Sequence, residues 1–203
     1  MRFMIQYAHS VGRRCVVFFL FPQFAEFFYT KDRNMNFSDN GLRLLKQLEG
    51  SVKNNNKHVV YDDKTGSPVK PNMPLPRGAT IGYGHLIKQG EDFTNGIDEF
   101  RATELLRQDV AVAQRAVQNN IRVNLTQNQY DALVIFAYNI GTNNFANSTV
   151  VKCINNHIDR NLELVWKSWN KSGGIEMPGL INRRNKEWNL FNGKFVQDDY
   201  LTS

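Results

Sequence analysis

The sequence predicts an α+β fold, mostly α, with a small α/β lobe over 35–97 and a larger helical lobe over 98–203, joined by a long helix. Three observations support this. Residues 50–80 are polar and rich in Lys, Asn, Gly and Pro, with room only for short β-like pieces. A long amphipathic stretch then runs from Asp98 to about Gln118. After it, Gln127 to Ile140 is apolar almost all round, the pattern of a helix buried on every side. A chain of 203 residues suffices for one domain in two lobes with a tail to spare.

The elements follow in order. Residues 36–48 read as a helix with Ser38 or Asp39 as N-cap and Leu42, Leu45 and Leu48 on one stripe. Short extended pieces are expected at 58–61 and 79–83. Asp98 caps the long helix, whose apolar line is Ala102, Leu106, Val110, Ala113 and Val117. Thr126 and Gln129 form a capping box at the head of the core helix, and Gly141 ends it. Ser148 caps a further helix over 149–156. Helices over 162–169 and 180–191 complete the lobe, the last ending at Gly193.

Residues 1–34 stand apart. They hold seven of the fourteen phenylalanines, and their five basic and two acidic residues supply half of the formal charge of +6. Arg2, Arg13 and Arg14 precede an apolar run from Cys15 to Pro22, the outline of a signal peptide or signal anchor. The run is too short to span a bilayer as a helix. Pro22, Gln23 and Glu26 interrupt it, and no A-x-A site follows. Two readings stay open: a membrane-interacting leader, or an extension upstream of Met35.

Composition narrows the function classes. With 41% hydrophobic and 22% charged residues the chain as a whole is globular. Two cysteines, Cys15 and Cys153, cannot make a disulfide framework or a four-ligand zinc site, and four scattered histidines offer no metal cluster. The positive charge suits a polyanionic partner: nucleic acid, anionic lipid or an acidic cell-wall polymer.

Three segments could carry chemistry. Glu49 lies seven residues after Leu42 and four after Leu45, so it projects from the apolar face of its helix, at the C-terminal end. Burial and the negative end of the helix dipole both disfavour the charged carboxylate there. A carboxyl kept protonated near neutrality is what a general acid needs. The plainer alternative is a frayed helix end in solvent. The second segment is Tyr61-Asp62-Asp63-Lys64-Thr65-Gly66, where an aspartate can simply form a turn. The third is Ala79-Thr80-Ile81-Gly82-Tyr83-Gly84-His85. Its small residues suit a strand whose backbone approaches something closely, and His85 reads first as a satisfied structural group.

Taken in order, these pieces resemble the glutamate–aspartate–threonine signature of phage-type lysozymes, glycoside hydrolase family 24. The signature residues are Glu49-Gly50, Tyr61-x-Asp63 and Thr80-Ile81-Gly82-Tyr83-Gly84-His85. The resemblance continues through Leu106-x-Gln108-Asp109-Val110 and Leu125-Thr126-Gln127-x-Gln129-Tyr130-Asp131-Ala132-Leu133. It then takes in Asn139-Ile140-Gly141, Phe145-x-Asn147-Ser148-Thr149, and Gly179-Leu180-x-x-Arg183-Arg184-x-x-Glu187-x-x-Leu190-Phe191. It covers about residues 36–195.

The resemblance implies a lysozyme-like fold with the active site in the cleft between the lobes, and cleavage of the β-1,4 bond between N-acetylmuramic acid and N-acetylglucosamine in peptidoglycan. It implies Glu49 as general acid, and Asp63 with Thr80 as the pair that holds and activates a water on the far face of the sugar, in an inverting reaction. Asp63 is preferred to Asp62 because the family acid stands two residues after the tyrosine. His85 and Asp109 match a structural pair between the small lobe and the long helix. Leu86, Tyr138 and Ser148 fall where the family lines the sugar cleft. No cofactor, metal or nucleic acid is implied, and a monomer is. An enzyme of this kind is made in the cytoplasm and acts in the periplasm or cell wall, so it crosses the inner membrane by a holin, a secretion system or its own leader.

The spacing departs from the family's compact arrangement. Fourteen positions separate Glu49 from Asp63, and seventeen separate Asp63 from Thr80. The additions are 51–58 and 67–77, the second holding Pro68, Pro71, Pro74 and Pro76. Loops lengthen at little cost in closure entropy, so hairpins can absorb both. Two other classes compete. A wall-binding relative without activity would keep the cleft but lack a catalytic residue type, and all three are present. A nucleic-acid binder would show a basic stripe, whereas the body carries no long basic run. Arg183-Arg184 instead reads as one buried ion-pair partner and one surface charge.

Overall fold

The computed structural model describes residues 35–70 and 73–194. The leader read over 1–34, Pro71 of the second added stretch and the last nine residues lie outside the described residues. Helix α1 (Asp39–Glu49) opens at Ser38, whose hydroxyl accepts from the Gly41 N–H, and closes at Gly50, where φ is +64°. Ser38 is itself held by Asp131, which accepts from its backbone N–H and its hydroxyl. A Cβ on Gly41 would lie 2.6 Å from Phe37 Cε2 and 2.9 Å from Asp131 Cβ. Only glycine lets these parts approach so closely.

The small lobe is two antiparallel pieces. Strands β1 (Lys53–Asn54) and β2 (Lys57–His58) make a hairpin, with Asn55 and Asn56 at positive φ in its turn. Asparagine tolerates that backbone region better than most residues. Strands β3 (Tyr61–Asp62), β4 (Ala79–Ile81) and β5 (His85–Leu86) form a three-stranded sheet in that order. The register pairs Tyr61 with Thr80, and Thr80 in turn with Leu86. The single extended piece expected over 58–61 is therefore split. His58 pairs with Lys53 and Tyr61 pairs with Thr80, so the chain changes partners at Val59 and Val60. Both added stretches leave the sheet intact: 51–58 contains the first hairpin, and the second leaves β3 and returns to β4, with Tyr61 bridged to Pro68.

The helical lobe follows the predicted order with three differences. Helix α2 (Glu99–Asn120) is capped by Asp98. Helix α3 (Gln127–Ile140) has both halves of its capping box, and every residue from Tyr130 to Ala137 is buried. Helix α4 (Thr142–Asn147) was not anticipated. It starts at once after Gly141, whose φ of +86° turns the chain, and Phe145 anchors it in the core. Helix α5 (Thr149–Asn155) is capped by Ser148, and α6 (Leu162–Lys167) follows a 3-10 turn. A second hairpin, β6 (Lys171–Ser172) with β7 (Ile175–Glu176), was also missed. Gly173 and Gly174, both at positive φ, supply the turn that a two-residue hairpin requires. Helix α7 (Pro178–Phe191) begins two residues earlier than expected, with proline in its first turn, where the absent N–H costs no helical bond. Trp166 centres the aromatic core, its ring 4.7 Å from Phe136 and 5.2 Å from Phe191. Among the described residues no helix is long and apolar enough to cross a membrane.

Candidate active site

Glu49 is the last residue of α1, and its side chain is 21% exposed. Its Oε1 accepts from Arg183 Nη2 of α7 at 2.7 Å. Its other oxygen, Oε2, has no hydrogen bond among the described residues. It faces Gly84, where an added Cβ would stand 4.0 Å away. The glycines at 82 and 84 lie in a turn and not in the strand that the sequence suggested, and the close approach falls at Gly82. Gly82 and Gly84, both at positive φ, form the turn between β4 and β5, and a Cβ added at Gly82 would stand 3.3 Å from Ala102 Cβ of α2.

Thr80 sits on the central strand of the sheet and is 4% exposed. Its hydroxyl oxygen is buried without a hydrogen-bond partner among the described residues, which is rare because such a group loses its water and gains nothing. Asp62 and Asp63 divide their labour. Asp62 ends β3 and accepts the Lys64 N–H at 2.9 Å, which shapes the turn. Asp63 lies in that turn, exposed, with no hydrogen bond or ion pair among the described residues. Register ties the pieces together: Thr80 pairs with Tyr61, two residues before Asp63, and the turn after Thr80 carries Gly84 to Glu49. No hydrogen bond joins Glu49, Asp63 and Thr80 to one another.

The surrounding residues are placed as follows. His85 is buried, with Nδ1 2.9 Å from Asp109 Oδ2 of α2. Its Nε2 lies 3.1 Å from Glu91 Oε2, a second partner the sequence did not reveal. Leu86 is 54% exposed beside Thr80 on the neighbouring strand. Tyr138 of α3 lies in the electrostatic field of Glu49. Burial pushes its phenol up, the Glu49 and Asp109 carboxylates add to this, and Arg183 opposes it. Ser148 is buried, and its hydroxyl accepts from Val151 N–H as the cap of α5. A cavity of about 390 Å³ lies elsewhere, between Val60, Val69, Leu75, Ile87 and Phe93, and none of the candidate site residues lines it.

Arg183 and Arg184 correct the sequence reading, which put one of them on the surface. Both are buried, and both donate to Glu187 Oε1, Arg183 through Nε at 3.2 Å and Arg184 through Nη2 at 2.7 Å. Arg184 also donates to Asn139 Oδ1 at 2.7 Å. The spacing did carry a signal, since Glu187 stands three and four residues after the arginines, where helical side chains meet. The link from Arg183 to Glu49 spans 134 positions and left no local trace. A second missed cluster centres on Glu99 at the start of α2. Lys46, Lys53, His58 and Tyr83 all converge on its carboxylate within 3.0 Å. Burial opposes that charge, but the hydrogen bonds from Tyr83, Lys46, His58 and Lys53 hold it well below the usual carboxylate range.

Comparison with known proteins bears on this arrangement. The profile of the phage lysozyme family matches residues 58–187, which takes in Asp63, Thr80 and Arg183 and leaves Glu49 just before its start. The endolysin of Bacillus phage PZA is 36% identical over 160 residues, covering 78% of this chain and 55% of that one. The chain thus spans about half the length of the Bacillus phage relatives it matches. The endolysin of Salmonella phage P22 is 34% identical over 77% of this chain and 98% of its own length. Among solved structures, the muramidase domain of SpmX from Asticaccaulis excentricus superposes with a TM-score of 0.60 at 29% identity, over 77% of this chain and 97% of that one. The profile match covers more than half of the 203 residues, and the P22 relative is matched over nearly its whole length; the chain belongs to the phage lysozyme family.

Proposed function

We propose that this protein hydrolyses the β-1,4 bond between N-acetylmuramic acid and N-acetylglucosamine in peptidoglycan, with bacterial lysis as the outcome. The observation that carries the reading is the asymmetry of Glu49: one oxygen is fixed by Arg183 and the other is free, facing Gly84 and the sheet that bears Thr80. A carboxyl held by one oxygen and free at the other can deliver a proton in a defined direction. In this reading Glu49 Oε2 protonates the glycosidic oxygen of the departing sugar. The bond breaks with oxocarbenium character at the anomeric carbon. A water on the opposite face completes an inverting displacement, its proton passing to Asp63. The unpaired Thr80 hydroxyl suits the task of holding that water, because a donor and acceptor with no protein partner is free to take one.

Leu86 and Tyr138, flanking Thr80 and Glu49, are the side chains proposed to line the sugar cleft. Ser148, occupied as a helix cap, joins them through the family pattern alone. The pair His85 and Asp109 fixes the small lobe to α2 and takes no part in the chemistry. The enzyme works as a monomer without a cofactor and meets its substrate in the cell wall, reached by a holin, a secretion system or a leader within residues 1–34. Reducing-end analysis of digested peptidoglycan tests the reading. New muramic acid ends are expected; glucosamine ends, freed peptides or no cleavage would overturn it.

A further inference from the structure

Glu187 is the only glutamate among the described residues with no exposed surface at all, and the reaction proposed above does not use it. It lies on α7, one helical turn beyond Arg183. All three of its partners are donors: Arg183 Nε at 3.2 Å and Arg184 Nη2 at 2.7 Å on Oε1, and Trp166 Nε1 at 3.1 Å on Oε2. Burial pushes the Glu187 carboxyl up against the pull of Arg184 and Arg183. Three donors and no acceptor nevertheless match only the carboxylate form.

Arg183 therefore stands between two carboxylates. Its Nε edge is held by Glu187, and its Nη2 reaches Glu49 Oε1 at 2.7 Å. A guanidinium is planar and rigid, so fixing one edge aims the other. We propose that Glu187 is a positioning residue for the glycosidase reaction. It directs Arg183 at Glu49 Oε1, which leaves Oε2 as the oxygen that gives the proton. It also shares the charge of Arg183, so that Glu49 does not face an undivided cation. This rests on the reading of Glu49 as the acid. Arg183 from α7 touches Glu49, and Tyr138 from α3 lies in a field shared by Glu49, Asp109 from α2, Arg183 and Tyr61 from β3. Of these only Arg183 touches Glu187, so a change at Glu187 reaches the acid through one guanidinium.

The sign follows from the charges. With Glu187 neutral, Arg183 keeps its full charge for Glu49, and the carboxylate product of proton transfer is favoured before transfer takes place. The protonated acid is then lost at lower pH. Glu187→Gln is expected to move the alkaline limb of the pH–turnover profile on purified cell walls about one unit towards acid, with KM unchanged. Glu187→Asp keeps the charge and is expected to keep the limb in place, whatever it does to the melting temperature. Neutralising Glu187 alone leaves two buried guanidinium groups underpaired, so the double variant Arg184→Met/Glu187→Gln is measured beside it, as it removes one charge of each sign. A smaller acid-ward shift is expected there, because losing Arg184 offsets part of the lost negative charge. A limb at the wild-type position in either variant that melts cooperatively would overturn the inference and leave Glu187 a structural residue. Glu49→Gln, assayed in parallel, separates the two claims: if it retains turnover the acid assignment is wrong, and if it is inactive while the limb stays put only the role of Glu187 fails.

Discussion

Around Glu49 most polar groups are matched: Arg183, Arg184, Glu187, Trp166 and Asn139 form one continuous hydrogen-bonded cluster, buried except at Asn139, in which Arg184 Nε is left without a partner. Around Thr80 and Asp63 they are left open. A buried hydroxyl has no hydrogen-bond partner, and an exposed carboxylate makes no hydrogen bond or ion pair with any described residue. The first region spends its hydrogen bonds on orientation, which low dielectric and close packing make rigid. The second leaves its hydrogen-bonding capacity unused within the protein. In the reaction proposed here, which transfers a proton from a fixed donor and takes its nucleophile from solvent, both kinds of construction have a use.

Removing the donor should produce the largest effect. Glu49→Gln is expected to lower the rate of wall hydrolysis by about 10²- to 10⁴-fold, measured by reducing-end release, with the melting temperature nearly unchanged. Retained activity would mean that the matched region serves stability alone. Next, Asp63→Asn is expected to cost about 10²-fold in the same assay, while Asp62→Asn, whose amide can still accept the Lys64 N–H, should leave rate and stability near the wild type. Equal losses would show that the open region has been assigned to the wrong aspartate. Thr80→Val should divide stability from activity. Deleting a buried hydroxyl that has no partner is expected to stabilise the protein by about 1 kcal/mol, read by urea unfolding, while turnover falls about tenfold. Loss of stability would instead reveal a partner for that hydroxyl.

The smallest effect concerns Glu99, where charged groups meet at a half-exposed carboxylate. Its folded-state value is depressed below the ordinary 4.5. The stability it contributes is therefore fully present above about pH 4.5 and is lost as the pH falls from there towards the depressed value. Because the side chain is 50% exposed, solvent and salt screen this contribution. The melting temperatures of wild type and Glu99→Gln should differ by a few degrees near neutrality and converge in acid. A constant gap would mean that Glu99 acts through geometry and not charge.

Much of this was legible in the chain. The core helix at 127–140, its Thr126–Gln129 box and its Gly141 stop are local features, written in periodicity and capping chemistry within one element. The Gly82–Tyr83–Gly84 run read as a strand, but both glycines stand at positive φ in the turn between β4 and β5, a conformation that glycine takes without steric cost. Helix α4 and the hairpin at Gly173-Gly174 were missed because six- and two-residue elements are too short to show a period. The partner exchange at Val59 and Val60 depends on which strand lies opposite, and one strand alone does not contain that information.

The sequence by itself determined the longer helices, their caps and the three residue types of the candidate site, since each depends on neighbours within a few positions. Only the tertiary structure decided that Arg183 would anchor Glu49 across 134 positions. It also decided that Arg184 would be buried against Glu187 and that Glu99 would gather two lysines, a histidine and a tyrosine. The reason is physical: a helix or cap is set by torsions and hydrogen bonds along the chain. The partner of a buried charge is set by which elements pack together, and that is fixed only when the whole core closes.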